Sequence, residues 1–283
     1  MKSIRYSFYA FALLAAMVFL LRSDETPVVY SAGPSARYIA HAGGGLPEGT
    51  YSNSREAIER SVRAGFKLIE IDFHCAENSD LIIVRDWSRT QHKYFSKLKL
   101  PPMLSRFHTR QSNSEADFMA QVMSYGLTQI SVEDLMTILK DTPGLRIITD
   151  CKCENLSSLH TLKQAADRAG INQARLIPQI YARESFAPVK AMGFDDIILT
   201  VYRLNISEQA VIDFVNETPI YALTVPVGSV SESLLAGVKD SGTPLFAHTI
   251  NDPDLAGWLV NMGVSGIYTD YLTPPMERSA VAY

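Results

Sequence analysis

From Arg37 onward, short β-rich apolar runs alternate with longer amphipathic stretches, and this alternation restricts the possible folds of the chain more than any other feature. Strand-like runs fall at Tyr38–His41, Lys67–Phe73, Leu81–Asp86, Leu145–Asp150 and Arg175–Ile180. Others follow at Asp196–Tyr202, Ile220–Val225, Leu245–Ile250 and Gly266–Thr269. Helical periodicity fills gaps between them, at Ser54–Ala64, Val132–Leu139, Ser158–Ala169 and Asp254–Met262. Strands separated by helices pair in parallel beneath those helices, and eight such units close an α/β barrel of the (β/α)8 TIM type. A barrel of that kind takes about 250 residues, so the 283-residue chain has room for one, over 37–283.

Nine runs are one too many. The link His74–Asp80 is too short for a helical crossover, which needs about a dozen residues. Lys67–Asp86 therefore reads as a hairpin that brings Glu70 and Asp72 toward Arg85 and Asp86. The irregular stretch 87–129, with Pro101-Pro102 and the polar cluster Gln111–Glu115, reads as an insertion or lid at the barrel mouth.

Ahead of the barrel, Lys2 and Arg5 precede an apolar run ending at Leu21, and Arg22 follows it. A basic start before an apolar segment marks residues 1–25 as a signal anchor or signal peptide, an N-terminal hydrophobic helix. Leu20, Leu21 and Arg22 offer no small-x-small cleavage site, which favours an uncleaved anchor. The basic residues would stay on the cytoplasmic side, leaving the barrel periplasmic or extracellular, or secreted if the segment is removed. The net charge of −4 gives no generally basic surface for nucleic acid. Of the three cysteines, Cys151 and Cys153 are poorly placed on one strand to bridge each other, and Cys75 could pair with either.

The chemistry is concentrated at strand ends. In Leu68-Ile69-Glu70-Ile71-Asp72-Phe73-His74 every second residue is polar, so Glu70, Asp72 and His74 share one face of a strand. Buried carboxylates are costly unless paired or bound to a cation, and two hard oxygen ligands suit Mg2+ or Ca2+. Asp150 and Lys152 repeat the pattern at the end of a later strand, as a further metal ligand and an ammonium for a phosphate oxygen. His41 ends the first strand as a candidate proton carrier. The glycines Gly43 to Gly45 would let backbone N–H groups approach an anion.

These residues together, Tyr38-Ile39-Ala40-His41-Ala42-Gly43, Ser52-Asn53-Ser54, Glu70-Ile71-Asp72 and Asp150-Cys151-Lys152, resemble the glycerophosphodiester phosphodiesterase family. His248-Thr249-Ile250-Asn251-Asp252 and Gly266-Ile267-Tyr268-Thr269-Asp270 continue the resemblance in the same order. It implies a metal-dependent phosphodiesterase acting on a small-molecule or lipid phosphodiester, with His41 as acid/base. Glu70, Asp72 and Asp150 would be the ligands of a divalent cation, and Lys152 their basic partner. Three positions depart from the family pattern. Ala42 stands for an arginine, His248 for a tryptophan, and Arg85 for the second catalytic histidine. Arginine does not deprotonate in proteins, so Arg85 is expected to bind phosphate, with His74 as substitute proton carrier and His248 as second choice. The Asp-x-Lys pair also resembles the sphingomyelinase D relatives, which adds lysophospholipid head groups as substrates. The contrasting expectation is a catalytically impaired barrel serving as a binding or accessory protein at the membrane.

Overall fold

The computed structural model describes residues 37–86, 93–95, 112–204 and 206–275. The expected N-terminal segment 1–25 and much of the stretch 87–129 lie outside the described residues. No helix among the described residues is long and apolar enough to cross a membrane.

Nine strands form among the described residues: β1 Arg37–Ala40, β2 Leu68–Cys75, β3 Leu81–Ile82, β4 Arg146–Cys151, β5 Leu176–Ile180, β6 Ile198–Thr200, β7 Ala222–Pro226, β8 Leu245–His248 and β9 Gly266–Thr269. Eight pair in parallel in the order β1-β9-β8-β7-β6-β5-β4-β2, and the β1–β2 pairing closes the ring. The expected (β/α)8 barrel is present. β3 is the ninth run, antiparallel to the end of β2 through His74↔Ile82 and Cys75↔Leu81. A link too short for a helix thus became a hairpin, as the spacing requires.

The two-residue period of the strands builds the interior in layers. Ile39, Leu68, Ile148, Ile177, Ile198, Ala222, Phe246 and Tyr268, one from each barrel strand, form a buried apolar cluster. Two residues further along six of these strands stand Glu70, Asp150, Gln179, Thr200, Thr224 and His248, facing the same way, and His41 in the turn after β1 joins them around one cavity. The barrel is therefore plugged by hydrocarbon and capped at the C-terminal ends of its strands by a polar layer. The intervening residues point outward. Ile69, Ile71, Phe73 and Ile147 pack with Ile58, Leu135, Leu139, Leu159 and Leu162 of the surrounding helices.

Helix starts follow local chemistry. Ser54 accepts a hydrogen bond from the Ala57 amide and opens the helix Arg55–Arg63. Ser131 and Asp134 form a reciprocal capping box on Val132–Asp141, an arrangement whose loss costs about 1 kcal/mol. Within the stretch 87–129, Phe95, Phe118, Met123 and Leu127 form a smaller core with Leu46, Ile82 and Val84. The hairpin is thereby packed against part of the insertion.

Candidate active site

β2 and β4 bring the acidic residues together. Asp72 and Asp150 are register partners in adjacent strands, and Glu70 lies one inward position before Asp72. Oxygen atoms of Glu70, Asp72 and Asp150 lie within 4.8 Å of one another, and all three residues are buried. Lys152 Nζ is 2.8 Å from Asp72 Oδ1 and also pairs with Asp150 Oδ2. Tyr181 donates its hydroxyl to Asp150 Oδ1. Asn53 clamps Asp72 at two points, donating from Nδ2 to Oδ2 at 3.0 Å and accepting the Asp72 amide at 3.0 Å.

Burial pushes the Glu70 carboxyl up to about 8, helped by the neighbouring Asp72. Burial would raise Asp72 as well, but the Lys152 ammonium outweighs it and holds Asp72 below the ordinary carboxylate range. Asp150 remains raised by burial despite the same ammonium. Lys152 itself is driven above its usual value, because Asp72 and Asp150 overcome its desolvation. Glu70 Oε2 accepts the Ala42 amide at 2.6 Å, while Oε1 is buried without a hydrogen-bond partner among the described residues. An orphaned carboxylate oxygen beside two more carboxylates fits a hard divalent cation well. The acidic cluster can therefore hold one.

His41 begins the 3-10 turn that follows β1. Its Nδ1 lies 2.9 Å from Asp270 Oδ1, just past the end of β9. Asn251 fixes Asp270 by donating to Oδ2 at 2.8 Å and accepting the Asp270 amide at 2.8 Å. Burial lowers the affinity of His41 for a proton, yet the Asp270 hydrogen bond and the charge of Glu70 prevail and raise its pKa. Two of the three loop glycine amides are engaged within the chain: Gly44 and Gly45 donate to the carbonyls of His41 and Asp270, at 2.9 and 2.7 Å. The amide that meets a carboxylate is that of Ala42, whose φ of 50° turns the chain at this point.

A cavity of about 30 Å3 is lined by His41, Glu70, Asp150 and His248, with Tyr202 and Tyr268. That volume suits an ion and a water rather than a whole ligand. His248 is pushed down to about 4 by burial and by the positive charges of His41, Lys152 and Arg85. Its Nε2 has no hydrogen-bond partner among the described residues. His74 is not on this cavity wall; its Nδ1 accepts the Cys75 amide at 2.9 Å, beside the hairpin. Arg85 stacks 3.9 Å over the Tyr51 ring, and Tyr51 meets His41 edge-on at 4.6 Å. Two larger clefts among the described residues, about 720 Å3 beside Leu235 and about 640 Å3 beside Arg37, lie at the opposite ends of the strands. In barrels of this type chemistry occurs at the C-terminal face.

A disulfide joins Cys75, at the end of β2, to Cys153, just past β4, with Cα atoms 5.9 Å apart. Cys151 is a buried free thiol, which decides between the two pairings that the sequence left open. The bridge ties together the two strand ends that carry Asp72 and Lys152. Sequence reasoning assigned no role to Asn53, Tyr181, Asn251 or Asp270. Asn53, Asn251 and Asp270 lie inside the family-like motifs, so position in a motif was the only available signal, and Tyr181 had none.

Solved structures share this barrel. A glycerophosphodiester phosphodiesterase from Parabacteroides distasonis superposes with a TM-score of 0.64 at 17% identity, covering 84% of this chain and 93% of that one. An Oleispira antarctica phosphodiesterase in complex with the product sn-glycerol-3-phosphate gives 0.62 at 18% identity, covering 83% and 93%. A glycerophosphodiester phosphodiesterase from Agrobacterium tumefaciens gives 0.59 at 11% identity, covering 83% and 96%. No protein-family model matches the sequence, and no curated protein does. The chain has the fold of the glycerophosphodiester phosphodiesterases.

Proposed function

We propose that this protein is a metal-dependent phosphodiesterase that hydrolyses glycerophosphodiesters or lysophospholipid head groups. One observation carries the reading: Glu70, Asp72 and Asp150 converge around Lys152 at the barrel mouth, across a small cavity from His41. Glu70, Asp72 and Asp150 would hold Mg2+ or Ca2+, which when bound supplies charge neutralisation to a phosphate oxygen. Lys152 supplies a further positive charge to the same phosphate, with Arg85 beside Tyr51 as a second guide.

His41 carries the proton. Asp270 holds its Nδ1, leaving Nε2 as the atom that gives or takes a proton at the substrate. The raised pKa favours the protonated form of His41, suited to a leaving oxygen. Arg85 cannot act as a base, so a second proton carrier would be a histidine. His248, kept neutral by burial and on the cavity wall, has the better position; His74 is the alternative.

The test is turnover by the full chain in mild detergent, with Mg2+ or Ca2+ and then with EDTA, on glycerophosphocholine and lysophosphatidylcholine. Chelator-sensitive release of either alcohol is expected. Retained cation binding with no turnover of either would favour a binding barrel, a reading that rests on Arg85 standing where the family has a histidine. The apolar segment before Arg22 and the Cys75–Cys153 bond, a linkage typical of oxidising compartments, support attachment at a membrane with the barrel outside the cytoplasm. Cleavage of the barrel by protease added to cells stripped of any outer membrane, with the plasma membrane left sealed, would check that placement, and full protection would argue against it.

A further inference from the structure

We infer that Arg203 is a specificity residue, and that the natural substrate carries a second anionic group on the end remote from His41. The inference rests on the phosphodiesterase reading above and concerns the same mouth. Arg203 follows β6, which lies four strands from β1 in the ring of eight, so the two are on opposite sides. A substrate whose phosphorus sits near Lys152 and His41 would extend its other end toward β6.

The guanidinium of Arg203 is held there by stacking rather than by an ion pair, its charge reaching Asp150 only at longer range. It stacks 4.6 Å from the Tyr181 ring centroid and 5.3 Å from that of Tyr202. Those rings are themselves edge to face at 6.0 Å, and Tyr202 also meets His248 at 5.8 Å. Tyr181 gives its hydroxyl to Asp150, so the platform is anchored to the acidic cluster. Among the described residues no carboxylate forms an ion pair with Arg203, whereas Lys152 has two such partners. Arg203 is exposed, so its donors remain accessible from solvent. An exposed guanidinium on an aromatic shelf can bind a carboxylate or phosphate in bidentate fashion. The same charge would repel a trimethylammonium group, even though the surrounding tyrosines would otherwise attract one.

Three glycerophosphodiesters differing only in the second alcohol test this: esters of glycolate, ethylene glycol and choline. For the unmodified protein, kcat/KM is expected to fall in that order, the carboxylate exceeding the neutral ester by about threefold to tenfold. Arg203→Gln should flatten the series, Arg203→Lys should retain part of it, and Arg203→Glu should reverse it. An order that Arg203→Gln and Arg203→Glu leave unaltered overturns the inference while leaving the phosphodiesterase reading intact. If no ester is hydrolysed, the phosphodiesterase reading fails, and calorimetric affinities of the same three compounds for the same variants decide the role of Arg203 alone. Affinities that ignore the charge of the alcohol would then overturn it.

Discussion

Asp72 and Asp150 face each other as register partners in adjacent parallel strands, with the Lys152 ammonium paired to both. Two buried carboxylates so placed would repel each other strongly without a cation between them. Lys152 is 11% exposed and Asp72 is fully buried, so solvent does little to screen the pair. Lys152→Met should therefore destabilise the protein in EDTA by about 3–5 kcal/mol, the usual cost of leaving a buried charge unpaired. Urea unfolding measures it, and a loss below about 1 kcal/mol would mean that the ammonium is not needed to hold the carboxylates.

Glu70 should make the metal-free protein less stable as pH rises. Its folded pKa of about 8 lies above the unfolded value, so between about pH 4.5 and 8 the folded state holds a proton that the unfolded state has lost. Stability linked to this group is complete below that window and declines through it. A divalent cation should restore most at the upper end, by replacing the proton. Thermal melts at pH 5 and pH 8, with EDTA and with Mg2+, provide the comparison. Glu70→Gln should remove this contribution, and an unaltered slope in that variant would show that another group is responsible.

Asp270→Asn should separate proton transfer from metal binding. The substitution keeps the side-chain shape but loses the carboxylate that raises the His41 pKa. Turnover is expected to drop by about 10²–10⁴, and the pH–rate limb belonging to His41 should move to lower pH. Cation affinity should stay close to that of the unmodified protein. A limb that does not move would exclude His41 as the titrating group.

Glu70→Gln and Asp72→Asn should each weaken Mg2+ or Ca2+ binding by at least about tenfold, since each removes one of the three carboxylates proposed to hold the cation. Titration calorimetry on the folded variants is the direct measurement. Unimpaired affinity in both would place the cation elsewhere.

Reduction of Cys75–Cys153 should affect stability and the site together. The bridge spans 78 residues, and a disulfide typically contributes about 2–4 kcal/mol. Cys75→Ser should show that loss in urea and should also weaken cation binding, because Asp72 and Lys152 stand near the bridged ends. A variant that is destabilised but binds the cation normally would limit the disulfide to a scaffold role.

Much of this architecture was legible from periodicity. Alternating runs identified the barrel, and the short link His74–Asp80 identified the hairpin. Polar residues at every second position in Leu68–His74 gave the inward face of β2 because strand geometry leaves no other arrangement. Periodicity could not say which histidine faces the cavity. His74 shares its strand face with Asp72, yet the hairpin begins there and β2 leaves the ring, whereas His248 stays within the polar layer of β8. The pairing of Cys75 was equally hidden, because Cys151 and Cys153 differ by two positions and only the course of the chain after β4 separates them. Asn53, Asp270 and Arg203 act through contacts between distant segments, and such contacts leave no local pattern.

The hydrogen bond between His41 and Asp270 spans 229 positions of the chain. It joins the turn after the first strand to the residue after the last, so the two halves of the proposed proton carrier meet only once the ring is shut. During synthesis the barrel emerges strand by strand, and every shorter intermediate lacks the partner of its histidine. A nascent or truncated chain could carry Glu70, Asp72, Asp150 and Lys152 and still be chemically silent. Activity would then serve as a readout of completed assembly, with hydrolytic competence withheld until the final strand docks.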